Sequence, residues 1–145
     1  MILTWDDVYK DTNALYKKII AKFTPDIILG ISTGGLIPSV ILNKLFYSKL
    51  IAHGVSSYEN TAQHNQQTYQ DGVSICNLHR DKNILVVDDL SDTGNTFTNI
   101  THDLFMKKNN IKFASLYYKP HTKFVPEFFT TEVSNNVWIT FPWEV

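Results

Sequence analysis

Apolar positions along the chain switch repeatedly between helical spacing and short continuous runs. Val8, Leu15, Ile19, Ile20 and Phe23 recur at helical intervals. Thr4-Trp5-Asp6-Asp7 stands ahead of them as a capping box, and Pro25 is expected to close that helix. Ile27 to Ile31 form an uninterrupted apolar run that predicts a buried strand, followed by Ser32-Thr33-Gly34-Gly35. Leu36 to Phe46 read as a buried helix with Pro38 in its first turn, where a missing N–H costs little. Leu50 to Ser56 predict another strand, and Val73 to Cys76 the return strand of a hairpin. Ile84 to Val87 predict a strand covered on both faces. Phe97, Ile100 and Leu104 mark a helix ending at Lys107-Lys108-Asn109-Asn110, and Phe113 to Tyr118 and Val137 to Phe141 predict further strands. This alternation implies an α/β fold, a mostly parallel central sheet flanked by helices.

The run from Ile84 ends in two adjacent carboxylates, Asp88 and Asp89, then Leu90-Ser91-Asp92-Thr93-Gly94-Asn95-Thr96 leads into the next helix. In an open parallel sheet, ligands bind beyond the carboxyl ends of the strands. Small residues leading into a helix offer amides, hydroxyls and a positive dipole end to a phosphate. Acids beside a phosphate site need something to bridge the charges, such as ribose hydroxyls or magnesium. The plainer reading makes the acids Asx-turn residues and Asp92 or Thr93 a helix cap. The full combination of strand, acid pair and small-residue loop favours the binding site.

Three other segments carry candidate chemistry. Gly30-Ile31-Ser32-Thr33-Gly34-Gly35 lies between a strand and a helix, where its amides form an anion nest or its glycines simply permit close packing. Residues 57–71 are polar, rich in Gln and Asn and without periodicity. A stretch of that length is a lid over the site or a surface excursion, and a reaction that must exclude water favours the lid. Lys119-Pro120 and Val137 to Glu144 sit at strand ends, with Trp138 offering a flat face to a heterocycle. A strand Trp is more often core, and a lysine there is more often a solvated cap.

Composition removes alternatives. The 145 residues suit one domain, with no repeat, linker or low-complexity segment. A net charge of −1 argues against a nucleic-acid partner, which calls for a clustered basic surface. No segment has the roughly 18 uninterrupted apolar residues of a membrane span. The start of the chain lacks the basic and apolar regions of a secretion signal, and the single cysteine, Cys76, fits a reducing cytoplasm and a core position. The histidines 53, 64, 79, 102 and 121 show no metal-ligand spacing and read as surface or core. Arg80 is the only arginine among 13 basic residues, unusual where a pyrophosphate is to be held bidentately.

The acid-pair segment resembles the phosphoribosyl-pyrophosphate motif of type I phosphoribosyltransferases. Thr4-Trp5-Asp6, Ser32 through Pro38, Ser56-Ser57-Tyr58, Asp88 through Gly94, Lys119-Pro120 and Trp138 through Trp143 occur in the order seen in bacterial xanthine-guanine phosphoribosyltransferases. The resemblance runs from about Leu3 to Glu144. It implies the type I phosphoribosyltransferase fold with a flexible hood loop, one domain over 1–145, the hood at 57–71 and a purine-binding part at 119–144. The implied reaction transfers phosphoribose from phosphoribosyl pyrophosphate to N9 of guanine, xanthine or hypoxanthine, in purine salvage, with Mg²⁺ as cofactor and release of pyrophosphate.

The residue roles follow from the same resemblance. Asp88 and Asp89 would hold the ribose hydroxyls and magnesium, directly or through water. Asp92 would stand at purine N7 as acid or base. Asp92, Thr93, Gly94, Asn95 and Thr96 would wrap the 5′-phosphate, and Ser32, Thr33, Gly34 and Gly35 would take the pyrophosphate on a strained or cis peptide. Ser57 and Tyr58 would begin the hood. Lys119 would donate to the purine 6-oxo group, Trp138 would stack, and the backbone of Trp138 and Ile139 would read the 2-position. A homo-oligomer, dimer or tetramer, is implied as well. The chain departs from the family pattern at Thr33, where an arginine is common, at Asn95 for a glycine, at Thr140 for an acid, and in a hood carrying His64 and a run of Gln instead of cations. Two other readings follow from these departures: a binder of phosphoribosyl pyrophosphate without turnover, and a transferase for another base.

Overall fold

The computed structural model describes residues 1–54, 72–104 and 108–145. Helix α1, Trp5–Ile20, opens with the expected capping box: Thr4 Oγ1 accepts from Asp7 N at 3.1 Å, and Asp7 Oδ2 accepts from Thr4 N at 2.9 Å. It stops at Ile20, ahead of Pro25; Phe23 reaches the core from the turn that follows, not from the helix. Helix α2, Leu36–Phe46, has the expected bounds. The strands are β1, Ile27–Ser32; β2, Lys49–Gly54; β3, Asn83–Ser91; β4, Asn110–Tyr118; and β5, Phe128–Glu132. They form one all-parallel sheet in the order β2-β1-β3-β4-β5.

Both faces of this sheet are covered, which explains the unbroken apolar runs. Ile28, Leu85 and Val87 pack with Leu15, Ile19 and Leu42 on the side of α1 and α2. Their neighbours Ile27, Leu29, Ile84 and Val86 pack on the other side with Val73, Cys76, Phe97 and Ile100. Those last residues belong to α3, Gly72–Asn77, and α4, Asn95–Asp103. The chain leaves β1 toward β2 but leaves β3 toward β4, so the two crossover helices α2 and α4 fall on opposite faces and a crevice opens between β1 and β3.

Four elements differ from expectation. Val73 to Cys76 is helix α3, not a strand. Its buried residues, Gly72, Val73 and Cys76, follow helical spacing, and a run this short carries no decisive period. Gly72 lets the helix start press on β2, since a Cβ there would lie 2.4 Å from Ala52 O. Val137 to Phe141 joins no strand; its one β-bridge is between Ile2 and Thr140, with Thr140 N donating to Met1 O at 2.9 Å and Leu3 N to Thr140 O at 3.0 Å, and the Met1 ammonium donates to Trp138 O. The fifth strand is instead Phe128–Glu132, an edge strand whose Phe129 and Thr130 carbonyls accept from Lys18 Nζ at 2.8 and 3.1 Å. That contact caps part of an otherwise open edge. Finally, β3 does not end at Val87: Leu90 and Ser91 still pair with Tyr117 and Tyr118, so the acid pair lies inside the strand. The expected hood, 57–71 with Ser57, Tyr58 and His64, lies outside the described residues, as does the residue 105–107 part of the helix expected to reach Lys107.

Candidate active site

Ser32, Thr33, Gly34 and Gly35 leave the carboxyl end of β1 and lead into α2, whose N-cap is Gly35 with no side-chain cap bond. No side chain caps the first turn; the Leu36 and Ile37 amides make long bonds to Thr33 O at 3.2 Å and Gly34 O at 3.4 Å, and Pro38 has no N–H. The Ser32–Thr33 peptide is cis. Gly35 is pressed against backbone: a Cβ would lie 2.5 Å from Val87 O and 2.7 Å from Ile31 O. A Cβ on Gly34 would lie 1.9 Å from Asp89 Oδ2. The glycine loop and the acid pair, some fifty residues apart in sequence, are thus in contact, and the close-packing reading of the glycines holds.

Asp88 and Asp89 are partly buried side by side. Burial first, and then the neighbouring Asp89 charge, push the Asp88 carboxyl well above the usual carboxylate range. Burial likewise raises Asp89, against the opposing hydrogen bonds it accepts. Asp88 Oδ1 accepts from Asp89 N at 2.9 Å and Asp89 Oδ1 from Leu90 N at 2.7 Å. Each bond runs to the next amide within β3, not two residues on as in an Asx-turn, and the other oxygen of each acid has no such bond. No group of three or more His, Cys, Asp or Glu suited to a metal occurs among the described residues. Two carboxylates alone suit magnesium, which keeps most of its shell for water and substrate phosphates.

Asp92, Thr93 and Gly94 follow β3, and Asn95 and Thr96 open α4. Gly94 has φ 82° and is the N-cap, so neither Asp92 nor Thr93 holds that position, although Thr93 Oγ1 accepts from Asn95 N at 3.3 Å. A Cβ on Gly94 would also lie 2.5 Å from Phe124 N and 2.7 Å from Thr122 Oγ1. Asp92 instead turns toward the segment after β4. Its Oδ2 lies 3.4 Å from Lys119 Nζ, and its Oδ1 lies 2.7 Å from His121 Nε2.

Two adjoining clefts meet at Leu90 and Asp92. One, of about 80 Å³, runs from Asp88 to Thr93, Gly94 and Thr96. The other, of about 210 Å³, is lined by Asp89, Lys119, Trp138, Ile139, Phe141 and Glu144. Lys119 is buried, at 6% exposure, whereas Trp138 is 77% exposed. A wider groove at the β5 edge, between Lys18, Lys22 and Phe129, holds none of these groups. Of the expected site residues, Asp88, Asp89, Asp92, Thr93, Gly94, Thr96, Lys119, Trp138 and Ile139 line these two clefts, Gly34 and Gly35 press on the acid pair, and Ser32, Thr33 and Asn95 line neither cleft. Two residues here were not expected: Glu144, whose carboxylate accepts from Phe141 N at 2.9 Å, and His121. Only the position of His121, two residues past Lys119 across a proline, hinted at its place.

A switch-point crevice with two phosphate-type loops and an acid pair defines a class of nucleotide-handling α/β protein. Residues 1–145 match the model of the phosphoribosyl transferase domain, and the chain belongs to that family. It is 34% identical to a xanthine-guanine phosphoribosyltransferase of Gluconobacter oxydans, over 98% of this chain and 83% of the relative. A xanthine-guanine phosphoribosyltransferase of Nitratidesulfovibrio vulgaris is 30% identical over the same shares. The crystal structure of a purine phosphoribosyltransferase from Pyrococcus horikoshii superposes with a TM-score of 0.80 at 31% identity, covering 100% of this chain and 94% of that one. A Neisseria gonorrhoeae protein solved with bound ppGpp gives 0.81 at 26% identity, over 99% and 88%.

Proposed function

We propose that this protein transfers phosphoribose from phosphoribosyl pyrophosphate to N9 of a 6-oxopurine, guanine, xanthine or hypoxanthine, releasing pyrophosphate in purine salvage. The observation that carries the reading is the contact of Gly34 with Asp89 beside a cleft holding Lys119 and Trp138. It joins a pyrophosphate-type loop, a ribose-type acid pair and a base-sized recess in one crevice. On this reading Ser32, Thr33, Gly34 and Gly35 hold the pyrophosphate, and Asp92 to Thr96 hold the 5′-phosphate. Asp88 and Asp89 hold the ribose hydroxyls. Lys119 donates to the 6-oxo oxygen, Trp138 stacks on the ring, and the Trp138 and Ile139 backbone reads the 2-position.

Glycosyl transfer passes through an oxocarbenium-like state, which the acid pair stabilises electrostatically. Asp92, shared by both clefts, is set to hold the N7 proton of the base. Asp88 and Asp89 would hold Mg²⁺, directly or through water, and their raised carboxyls are those a divalent cation would favour in ionised form. The ion, when bound, neutralises charge on the departing pyrophosphate. We assign residues 1–145 to one such domain, with 57–71 as its hood and 119–144 as its base-binding part. We assign its work to the cytoplasm, as a homo-oligomer; no helix among the described residues is long and apolar enough to cross a membrane.

One observation favours a binder without turnover: Thr33 is exposed in the pyrophosphate loop and offers one hydroxyl where a guanidinium would clamp bidentately. A steady-state assay with guanine, xanthine, hypoxanthine, adenine and uracil, with and without magnesium, separates the readings. Magnesium-dependent nucleotide formation from a 6-oxopurine is expected. Inactivity with every purine despite binding of phosphoribosyl pyrophosphate would make the protein a binding module, and turnover only with adenine or uracil would move it to another base.

A further inference from the structure

We infer that His121 is a positioning residue for Asp92, holding its carboxylate in place when Lys119 turns to the base. The inference rests on the role given to Asp92 above. The Asp92 carboxylate has two side-chain partners: Lys119 Nζ at 3.4 Å from Oδ2 and His121 Nε2 at 2.7 Å from Oδ1. The first contact is long, the second is at the short end of charge-assisted distances. An ionised carboxylate only accepts, so Nε2 donates. An ammonium has three donors, so Lys119 can serve a 6-oxo oxygen and Asp92 together, but its contact with Asp92 is already long. His121, at the shorter distance, is the firmer hold that keeps Asp92 aimed at N7.

The imidazole is held by backbone fixed at both ends. Lys119, Pro120, His121 and Thr122 form a β-turn closed by Thr122 N donating to Lys119 O at 2.9 Å, with proline at the second position where its fixed φ fits. His121 N donates to Asn135 Oδ1 at 3.1 Å. The turn is tied to the Asp92 loop by Lys123 N donating to Thr93 O at 2.9 Å and by Ser91 Oγ donating to Phe124 O at 2.8 Å. Gly94 allows this approach, as the 2.7 Å from its virtual Cβ to Thr122 Oγ1 shows. Both side chains stay about two-fifths exposed, 41% for His121 and 43% for Asp92. His121 lines neither cleft and stands beside Asp92 with two-fifths of its side chain in solvent.

The test is a kinetic cycle with hypoxanthine and phosphoribosyl pyrophosphate, using His121→Ala, His121→Gln, Asp92→Asn and the double variant His121→Ala/Asp92→Asn. An Asp92–His121 bond in a half-exposed setting predicts that His121→Ala lowers kcat by about three- to tenfold. The KM for phosphoribosyl pyrophosphate stays unchanged, and the melting temperature stays within about 3 °C. His121→Gln, which still presents a donor, restores most of the loss. Asp92→Asn loses about a hundredfold or more, and adding His121→Ala to it changes nothing further. An unchanged kcat in His121→Ala, a glutamine variant no better than alanine, or an equal His121→Ala loss in the Asp92→Asn background each overturns the inference alone. An Asp92→Asn enzyme with normal kcat, or a wild type without turnover, overturns the parent reading and takes this one with it.

Discussion

The contact between the two loops can be tested by adding one methyl group at two adjacent glycines. In Gly34→Ala the new Cβ would lie 1.9 Å from Asp89 Oδ2 and 2.5 Å from Asp89 Cγ, distances no pair of atoms tolerates. The obstacle is the end of a short side chain, and Gly34 has no positive φ that would itself resist alanine. Asp89 can swing away, giving up the bond from Leu90 N at 2.7 Å. That loss is about 1–2 kcal/mol, and moving a carboxylate out of a buried, like-charged site offsets part of it. A net of about 1 kcal/mol lowers the melting temperature by about 2–4 °C. In Gly35→Ala the new Cβ meets backbone instead, Val87 O at 2.5 Å, Ile31 O at 2.7 Å and Asp88 Cα at 2.8 Å, which no rotamer change relieves. Overpacking of that kind costs about 3 kcal/mol, or about 6–12 °C. Displacement of a site carboxylate by an ångström or more lowers turnover by about a hundredfold. Calorimetric melting beside steady-state kinetics therefore should show Gly34→Ala nearly as stable as wild type but almost inactive, and Gly35→Ala strongly destabilised. Full activity in Gly34→Ala, or a melting temperature as low as that of Gly35→Ala, refutes the reasoning.

The acid pair, the stacking ring and the pyrophosphate loop give three more tests. A carboxyl whose folded pKa is raised adds stability below its unfolded pKa and loses it as pH rises through the folded value, so at pH 7 Asp88 and Asp89 weaken the metal-free fold. Asp88→Asn/Asp89→Asn, which keeps the acceptor oxygens, should melt about 2–4 °C above wild type in chelator at pH 7, converge with it toward about pH 4, and lack activity; a lower melting temperature at pH 7 would contradict this. Trp138→Ala should raise the purine KM by losing stacking worth roughly 1–3 kcal/mol, and since the ring is 77% exposed the melting temperature should hold; a large thermal loss with unchanged KM would make Trp138 structural. Thr33→Arg, at an exposed position, should tighten phosphoribosyl pyrophosphate and pyrophosphate together and flatten the magnesium dependence, whereas unchanged affinities in a folded variant would move the diphosphate elsewhere.

What could be read along the chain was whatever a single segment encodes. The capping box at Thr4, the bounds of α2 and the buried β1 run came from local chemistry that tertiary packing reinforced. The errors fall where packing decides. Val73 to Cys76 has one turn of apolar residues, too few to fix a period, and its helix is selected by close contact with β2. Val137 to Phe141 has strand-like residues but only residues 1–3 to pair with, while Phe128–Glu132 finds a sheet edge beside Ala114 to Tyr118. The segments that meet at the crevice could be picked out because each is a short motif. His121 could not, because its partner lies 29 residues away: Pro120 marks a turn, but nothing local tells that the turn meets the Asp92 loop.

The two residues with the plainest alternative readings are also those whose environments most contradict their type. Trp138 was as well explained by a core strand, and Lys119 by a solvated cap. In the structure the lysine is 6% exposed and the tryptophan 77%. Lysine is almost never buried without a partner, and a large aromatic left in water forgoes the burial that normally justifies it. Lys119 has one ion-pair contact, to Asp92 at a long 3.4 Å, which is a weak return for its desolvation. Either inversion alone would be a local oddity. Together, on the walls of one cleft of about 210 Å³, they form a recess with an apolar face and a buried cation at its edge. A flat heterocycle with an anionic or oxo edge would satisfy both groups at once: it would cover the indole and give the ammonium a second acceptor beside Asp92. Packing alone explains neither environment, and a purine base would suit both.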